Sequence, residues 1–495
     1  MQRQRDPYTL ALSVMSPRNC ALIFVLGASL LVSCSLTTYG DDACSSNGDC
    51  RAAFGFGATC SDDGLCSGGG VNARCTRTFP RDLFTRPQLY TDSIVLGAIL
   101  NETDPSDVAA ENAIELAVKQ VNDLAGVDGP EFAMVFCTNE RDATIDIATE
   151  EEATAALGLY LARDLGVPAI IGPSTSSQST SLYAAVAPLG TLIISPSATS
   201  TVLTTIDADT GLFWRTCAPD SEQGAAIAND LEFRMVMRVA VIYEQGPYGT
   251  SLADVFTGAF SGTATQFPFA LGNATLRDSQ AMEVASRAAE FDEVLFISSN
   301  FADAEAFTRY AASTPGLTTK PIFLTDTAAG SPEFLEDPLA APLFPRIRGS
   351  RPGLATGPVY DQFLAAYLTR FTMETREVIE KYQYVPGTYD AAWLTFVSAA
   401  WSLEQTGAVR GADMAEALTR VSATSPGAMS FELLPSDWAG LSAEIAARRD
   451  VDVAGASGNL DFDALTGETS RPVEIWRIDS TATPPVLVVA RTVIP

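Results

Sequence analysis

Hydroxyl side chains crowd two short stretches, IIGPSTSSQS at 170–179 and IISPSATS at 193–200. Each stretch runs from β-branched residues through a Gly or Pro turn to Ser or Thr, where a helix would begin. Neutral hydroxyls and backbone amides at a helix start suit a carboxylate, through charge-assisted hydrogen bonds and the positive end of the helix dipole. Ser and Thr also cap helices without any ligand. Two such loops in succession favour binding. The chain has no histidine, which removes Ser-His-Asp and Cys-His nucleophiles, HExxH zinc sites and imidazole acid–base steps. It also lacks GxSxG, Walker A and GxGxxG patterns. A binding protein is therefore expected rather than an enzyme, with no catalytic residue, no cofactor and no metal.

Acid outweighs base, with 60 Asp and Glu against 31 Lys and Arg and a net charge of -29 over 495 residues. Such a body repels nucleic-acid phosphates and anionic lipid surfaces, so neither is an expected partner. Hydrophobic residues make up 47% of the chain and charged residues 18%, enough apolar surface for packed cores in more than one domain.

The elements that must position the two loops alternate between short apolar runs and amphipathic helices, the pattern of βαβ units in parallel sheets. Strands are predicted at Ile94 to Leu100, Phe132 to Phe136, Pro168 to Ile171 and Leu192 to Ser195. A second set is predicted at Val239 to Tyr243, Phe267 to Leu271, Val294 to Ile297 and Ile322 to Leu324. Helices fall between them, near 108–124, 221–233, 248–260, 278–290 and 303–311. Two α/β lobes result. Leu212 to Cys217 joins them, and Arg346 to Gly353 returns to the first lobe, with helices at 358–372 and 389–405 following and no new strands. An acidic stretch, Asn459, Asp461, Asp463, Gly467 and Glu468, fails the spacing of an EF-hand loop and reads as a hairpin with solvated carboxylates.

The N-terminus and the cysteines speak to location. Arg18 precedes an apolar run from Cys20 to Val32, too short to span a bilayer but suited to a secretory signal. Residues 1–33 are read as that signal, with Met1 to Val14 a poor fit to it and Met15 an alternative start. Residues 34–85 are read as a Cys-rich spacer. Within it, Cys44, Cys50, Cys60 and Cys66 lie among Gly, Ser and Asp with little else to form a core. In an exported protein they should make two disulfides of open connectivity; a tetrathiolate zinc site is the competing reading. Cys137 and Cys217, each at the end of a first-lobe element, are expected to bridge, which leaves Cys75 as the odd thiol.

Leu31-Val32-Ser33-Cys34 resembles the bacterial lipoprotein box, which implies a lipid on Cys34 as the mature N-terminus. The two hydroxyl loops, with Gly172-Pro173, Ser176 and Ser177 and then Ile194 to Thr199, resemble the ligand loops of type I periplasmic binding proteins of the leucine/isoleucine/valine-binding class. Phe213-Trp214-Arg215-Thr216 with Asp220 and Gln223-Gly224, Val239 to Tyr243 with Tyr248-Gly249, Tyr389-Asp390-Ala391 and Gly458 to Phe462 extend the resemblance over about residues 92–480. It implies two doubly wound parallel-sheet lobes with a multi-crossing hinge, together spanning 86–495. The first lobe is placed at about 90–214 and 353–430, the second at about 217–348 and 431–495.

The same resemblance implies a ligand carboxylate at Ser176, Ala198 and Thr199, with Ser177 and Ser197 beside them. Tyr248 and Asp326 close from the second lobe, and Asn300 is added from the stretch Ser298 to Phe301, which lacks the tyrosine that the family carries after this strand. Where the family turn reads Pro-Leu-Ser-Gly, this chain has Asn101 to Pro105, so branched-chain specificity is not implied. The implied protein is a monomeric, lipid-anchored envelope lipoprotein that hands a small amino-acid-like ligand to an ABC permease. The alternative is a non-transport lipoprotein that uses the same fold as a sensor or interaction module.

Overall fold

The computed structural model describes residues 43–61, 63–68, 71–125, 130–140, 149–207, 210–330, 332–421 and 427–494. The signal at 1–33 and the lipidation site Cys34 lie outside the described residues. Two units are present, dividing at Gly70 and Val71. In the first, the helix Asn47–Phe54 starts at a capping box in which Ser46 accepts from Asp49 N–H and the Asp49 carboxylate takes the Ser46 N–H. A small antiparallel pair follows, β1 (Ala58–Cys60) and β2 (Cys66–Gly68). The disulfides Cys44–Cys60 and Cys50–Cys66 hold it together. All four sulfurs are thus consumed in S–S bonds, which leaves no thiolates for zinc.

The second unit holds two α/β lobes. In the first, β3 (Arg77–Phe79), β4 (Ile94–Leu100), β5 (Phe132–Thr138), β6 (Ala169–Ile171), β7 (Leu192–Ser195) and β8 (Phe213–Arg215) form a sheet in the order β3-β5-β4-β6-β7-β8. All pairings are parallel except β3 with β5. The second sheet contains β9 (Arg238–Gln245), β10 (Thr263–Ala270), β11 (Glu293–Ile297), β12 (Ile322–Leu324), β13 (Ile347–Pro352) and, from the end of the chain, β19 (Val473–Asp479) and β20 (Val486–Val493), with order β10-β9-β11-β12-β13-β19-β20. Strand β4 is apolar throughout, and β9 is apolar from Val239 to Tyr243, because helices cover both faces. Alternation shows which face each residue serves: Ala240 and Ile242 enter one core cluster, Val239, Val241 and Tyr243 the other. In each lobe the strand order reverses, between β4 and β6 and between β9 and β11, and such switch points are where α/β sheets bind ligands.

Several expectations are corrected. Cys137 does not pair with Cys217. Cys137, next to last in β5, bridges to Cys75, and Cys217 is a buried free thiol. The Cys-rich segment ends before residue 85, because Cys75 and β3 belong to the first-lobe sheet. Segment 433–462 packs into the first core through Leu433, Leu441, Val453, Leu460 and Phe462, and not into the second lobe. The stretch from Met429 to Asp463 carries β14 (Met429–Glu432), β15 (Val451–Gly455), β16 (Gly458–Asn459) and β17 (Phe462–Asp463). The passage at 346–353 is itself strand β13, and new strands do follow it. After β18 (Glu468–Thr469), β19 (Val473–Asp479) and β20 (Val486–Val493) rejoin the second sheet antiparallel to β13 and to each other. The chain therefore crosses between lobes three times: after β8, after β13 and after β18. Among the described residues, no helix is long and apolar enough to cross a membrane.

Candidate functional site

The two hydroxyl loops sit side by side at the carboxyl ends of β6 and β7, and the hydroxyls of Ser176, Ser195 and Ser197 tie one loop to the backbone of the other. Gly172 has φ +91, and a Cβ there would lie 2.4 Å from the Ile99 carbonyl, so only glycine lets the first loop turn so close to β4. Thr175 caps the helix Ser176–Val186 by accepting from Gln178 N–H. Ser195 donates to the Pro173 carbonyl (2.7 Å) and accepts from Ala198 N–H (3.1 Å). Ser197 donates to the Ser174 carbonyl (2.8 Å). Ser176 Oγ accepts from Ser200 N–H (3.1 Å), which leaves its own O–H to donate. Sequence composition credits these serines to a ligand; the hydroxyls of three of them fasten one loop to the other.

The second lobe brings Asp326 to the same place. Its short helix Asp326–Ala329 follows β12, and the residue is buried. Oδ1 accepts from Tyr248 OH (2.7 Å) and Gln223 Nε2 (3.0 Å). Oδ2 accepts from Tyr384 OH (2.8 Å), and Gln383 Nε2 reaches the Asp326 carbonyl (3.2 Å). Tyr384 precedes the helix Val385–Thr406, whose residues fill the first core, so these last two contacts join the lobes. A further contact does the same, since Ser200 in the first lobe donates to the Pro247 carbonyl in the second (2.7 Å). The cleft is closed.

Asp220 completes the arrangement. It opens the helix Asp220–Phe233 and is fully buried. Its N–H donates to the Thr199 carbonyl (2.7 Å), and its Oδ2 accepts from Ser251 (3.0 Å). Oδ1 has no hydrogen-bond partner. Burial pushes its pKa up to about 7; the Thr199 hydroxyl works against that, and the neighbouring Asp326 charge adds to it. Burial likewise holds the Tyr248 and Tyr384 phenols well above their usual range, so both stay protonated donors.

The structure therefore gathers Ser176, Ala198 and Thr199 from one lobe with Tyr248 and Asp326 from the other. Ser177 is half-buried in the first turn of its helix, and Ser197 is tied to the loop backbone. Asn300 stands apart: it is exposed, and its Oδ1 caps the helix Phe301–Ser313 by accepting from Ala302 N–H (2.9 Å). Sequence reasoning gave no ligand role to Asp220, Gln223, Gln383 or Tyr384. The first two sit three residues apart at a helix start, on one face, a signal that was available. Nothing in the local pattern marks Gln383 or Tyr384.

A family model described as the receptor family ligand-binding region matches residues 109–480, well over half of the chain. The chain belongs to the type I periplasmic binding protein family. A curated relative, the chemotactic signal transduction system substrate-binding protein BasB of Halobacterium salinarum, is 28% identical over 172 residues, covering 33% of this chain and 40% of the relative. The match thus spans less than half the length of that relative. Two solved substrate- or solute-binding proteins share the fold across most of their length. One is the branched-chain amino acid transporter substrate-binding protein LivJ of Streptococcus pneumoniae in complex with isoleucine (TM-score 0.60, 20% identity, 81% of this chain and 100% of that one). The other is a solute-binding protein of R. palustris in complex with 4-hydroxybenzoate (TM-score 0.61, 14% identity, 81% and 97%).

Proposed function

We propose that this chain is a lipid-anchored, extracytoplasmic solute-binding protein that closes on a small amino acid or similar zwitterion and presents it to an ABC permease. Ser176, Ala198 and Thr199 take the carboxylate, and Asp326 with Asp220 takes the ammonium, with Tyr248 beside them. The observation that carries this reading is the unpartnered Asp220 Oδ1, buried beside Asp326 and next to a loop of neutral donors. Two acids on one side and amides with hydroxyls on the other match the two ends of a zwitterion, because a buried carboxylate needs a cation or donors to satisfy it. The lipoprotein-like Leu31-Val32-Ser33-Cys34 supports membrane attachment through Cys34 alone.

A second reading, a sensor or interaction module with the same fold, draws support from Tyr384 and Gln383, which satisfy Asp326 from the opposite lobe without any ligand. A thermal-shift panel separates the two. A bound solute raises the melting temperature by mass action, by an amount that grows with its concentration. A transport-type binder responds to one or a few amino acids; a melting temperature unmoved by every amino acid and small zwitterion favours the module. Mass spectrometry of the membrane fraction tests the anchor by looking for acylated Cys34.

A further inference from the structure

The acidic hairpin of β17 and β18 does not face solvent with all its carboxylates. Its turn residue Gly467 has φ +64, and a Cβ there would lie 2.6 Å from the Phe213 carbonyl. That close approach lets the Gly467 carbonyl accept from Arg215 N–H (3.0 Å) and brings Glu468 onto the Arg215 guanidinium. Arg215 is fully buried. Its Nη1 donates to the carbonyls of Ala198 and Ser200, both at 2.9 Å, and its Nη2 also reaches Thr204 Oγ1 (3.0 Å). Thr204 in turn donates to Glu468. A buried cation thus lies directly behind the loop to which the ligand carboxylate is assigned.

A trans peptide plane points its N–H opposite to its C=O. Holding the Ala198 carbonyl on Arg215 therefore turns the Thr199 N–H to the other side of the loop, where it has no acceptor among the described residues. The Ser200 peptide shows which side that is. Its carbonyl is also on Arg215, and the following Thr201 N–H points at Ser251 Oγ across the cleft (3.4 Å). We infer that Arg215, fixed by Glu468, is a positioning residue for ligand binding: it aims the Thr199 amide into the cleft and polarises that peptide toward a carboxylate. This rests on the reading that the loop at 198–200 receives a carboxylate.

The test uses the full chain, Arg215→Lys and Glu468→Gln. Each L-amino acid found to bind is titrated beside its primary carboxamide, the latter by competition. The bond lost is one to a charged group, so the carboxylate form should weaken about tenfold or more, with the carboxamide changed by less than about threefold. Equal weakening of both forms, or weakening of neither, overturns the proposal. Glu468→Gln leaves the guanidinium in place and serves where Arg215→Lys fails to fold. If the wild type binds no amino acid, the ligand reading has failed, and hydrogen exchange of the ligand-free chain decides this one. Protection of the Ala198 and Ser200 amides, which donate to Ser195 and Ser176, should then fall in Glu468→Gln; unchanged protection overturns it.

Discussion

The Tyr384 hydroxyl of the first lobe donates to Asp326 Oδ2 of the second at 2.8 Å. A carboxylate placed to meet a ligand is in this way already held by the opposite wall of its own cleft. Asp326 keeps spare capacity, because two carboxylate oxygens offer about four acceptor sites and the structure fills three of them from Tyr248, Gln223 and Tyr384. The contact therefore coexists with an ammonium and strengthens closure both with and without ligand.

Replacing Tyr384 with Phe removes only that hydroxyl. Losing a hydrogen bond to a charged group should cost the closed form about 1.5 kcal/mol. Small-angle scattering should show the ligand-free variant more extended than the wild type, and ligand affinity should fall about tenfold. An unchanged scattering profile would show that the contact does not control closure.

The pKa of Asp220 makes binding pH-dependent. A free aspartate titrates near about 3.9, whereas burial raises Asp220 to about 7. Between these values the folded chain holds a proton that the unfolded chain has lost, so the contribution of Asp220 to stability falls as pH rises through that window. An ammonium needs the ionised form. Affinity for a zwitterion should accordingly rise with pH up to about 7, with proton release on binding below it, and level off above. Calorimetry at pH 5, 6, 7 and 8 measures this, and Asp220→Asn should flatten the profile; a flat wild-type profile would exclude Asp220 as the ammonium partner.

The disulfide Cys75–Cys137 closes a loop with a sequence separation of 62. Loop-closure entropy alone assigns such a bridge about 4 kcal/mol. Cys75→Ser should lower the melting temperature of the unit from Val71 onward, and iodoacetamide should then label Cys137 on denaturation together with Cys217. If Cys75→Ser and the wild type melt together, the bridge does not tie β5 to the segment before β3.

How far the sequence carried depended on how local each signal was. Strands β7 and β12 begin and end where the apolar runs do, because both lie in the middle of a sheet with two covered faces. Strand β10 starts at Thr263, four residues before the predicted Phe267, because its first half is polar and partly exposed at the sheet edge. The antiparallel return of β19 and β20 was missed, since a βαβ pattern read in chain order predicts nothing that comes back after a long helical excursion. Cys75 and Cys137 meet only because β3 pairs with β5, a long-range contact with no local trace. In the site, loop residues announced themselves through composition, and Asp326 only through the family resemblance. Tyr384 acts across the hinge and Glu468 within the first lobe, and their partners are 58 and 253 residues away. Glu468 was even read as solvated, because its charge is visible in the sequence and its buried arginine partner is not.

Asp326 carries the central claim, and a matched pair of titrations tests it most directly. Calorimetry of the wild type against the L-amino acids should find at least one ligand, and the analogue of that ligand lacking the amino group should bind far more weakly. Asp326→Asn should weaken the amino acid by about 2 to 5 kcal/mol, because it removes a buried charge partner. It should leave the analogue without the amino group nearly unaffected. Undiminished binding of the amino acid to Asp326→Asn, or no binding of any amino acid to the wild type, would contradict the account.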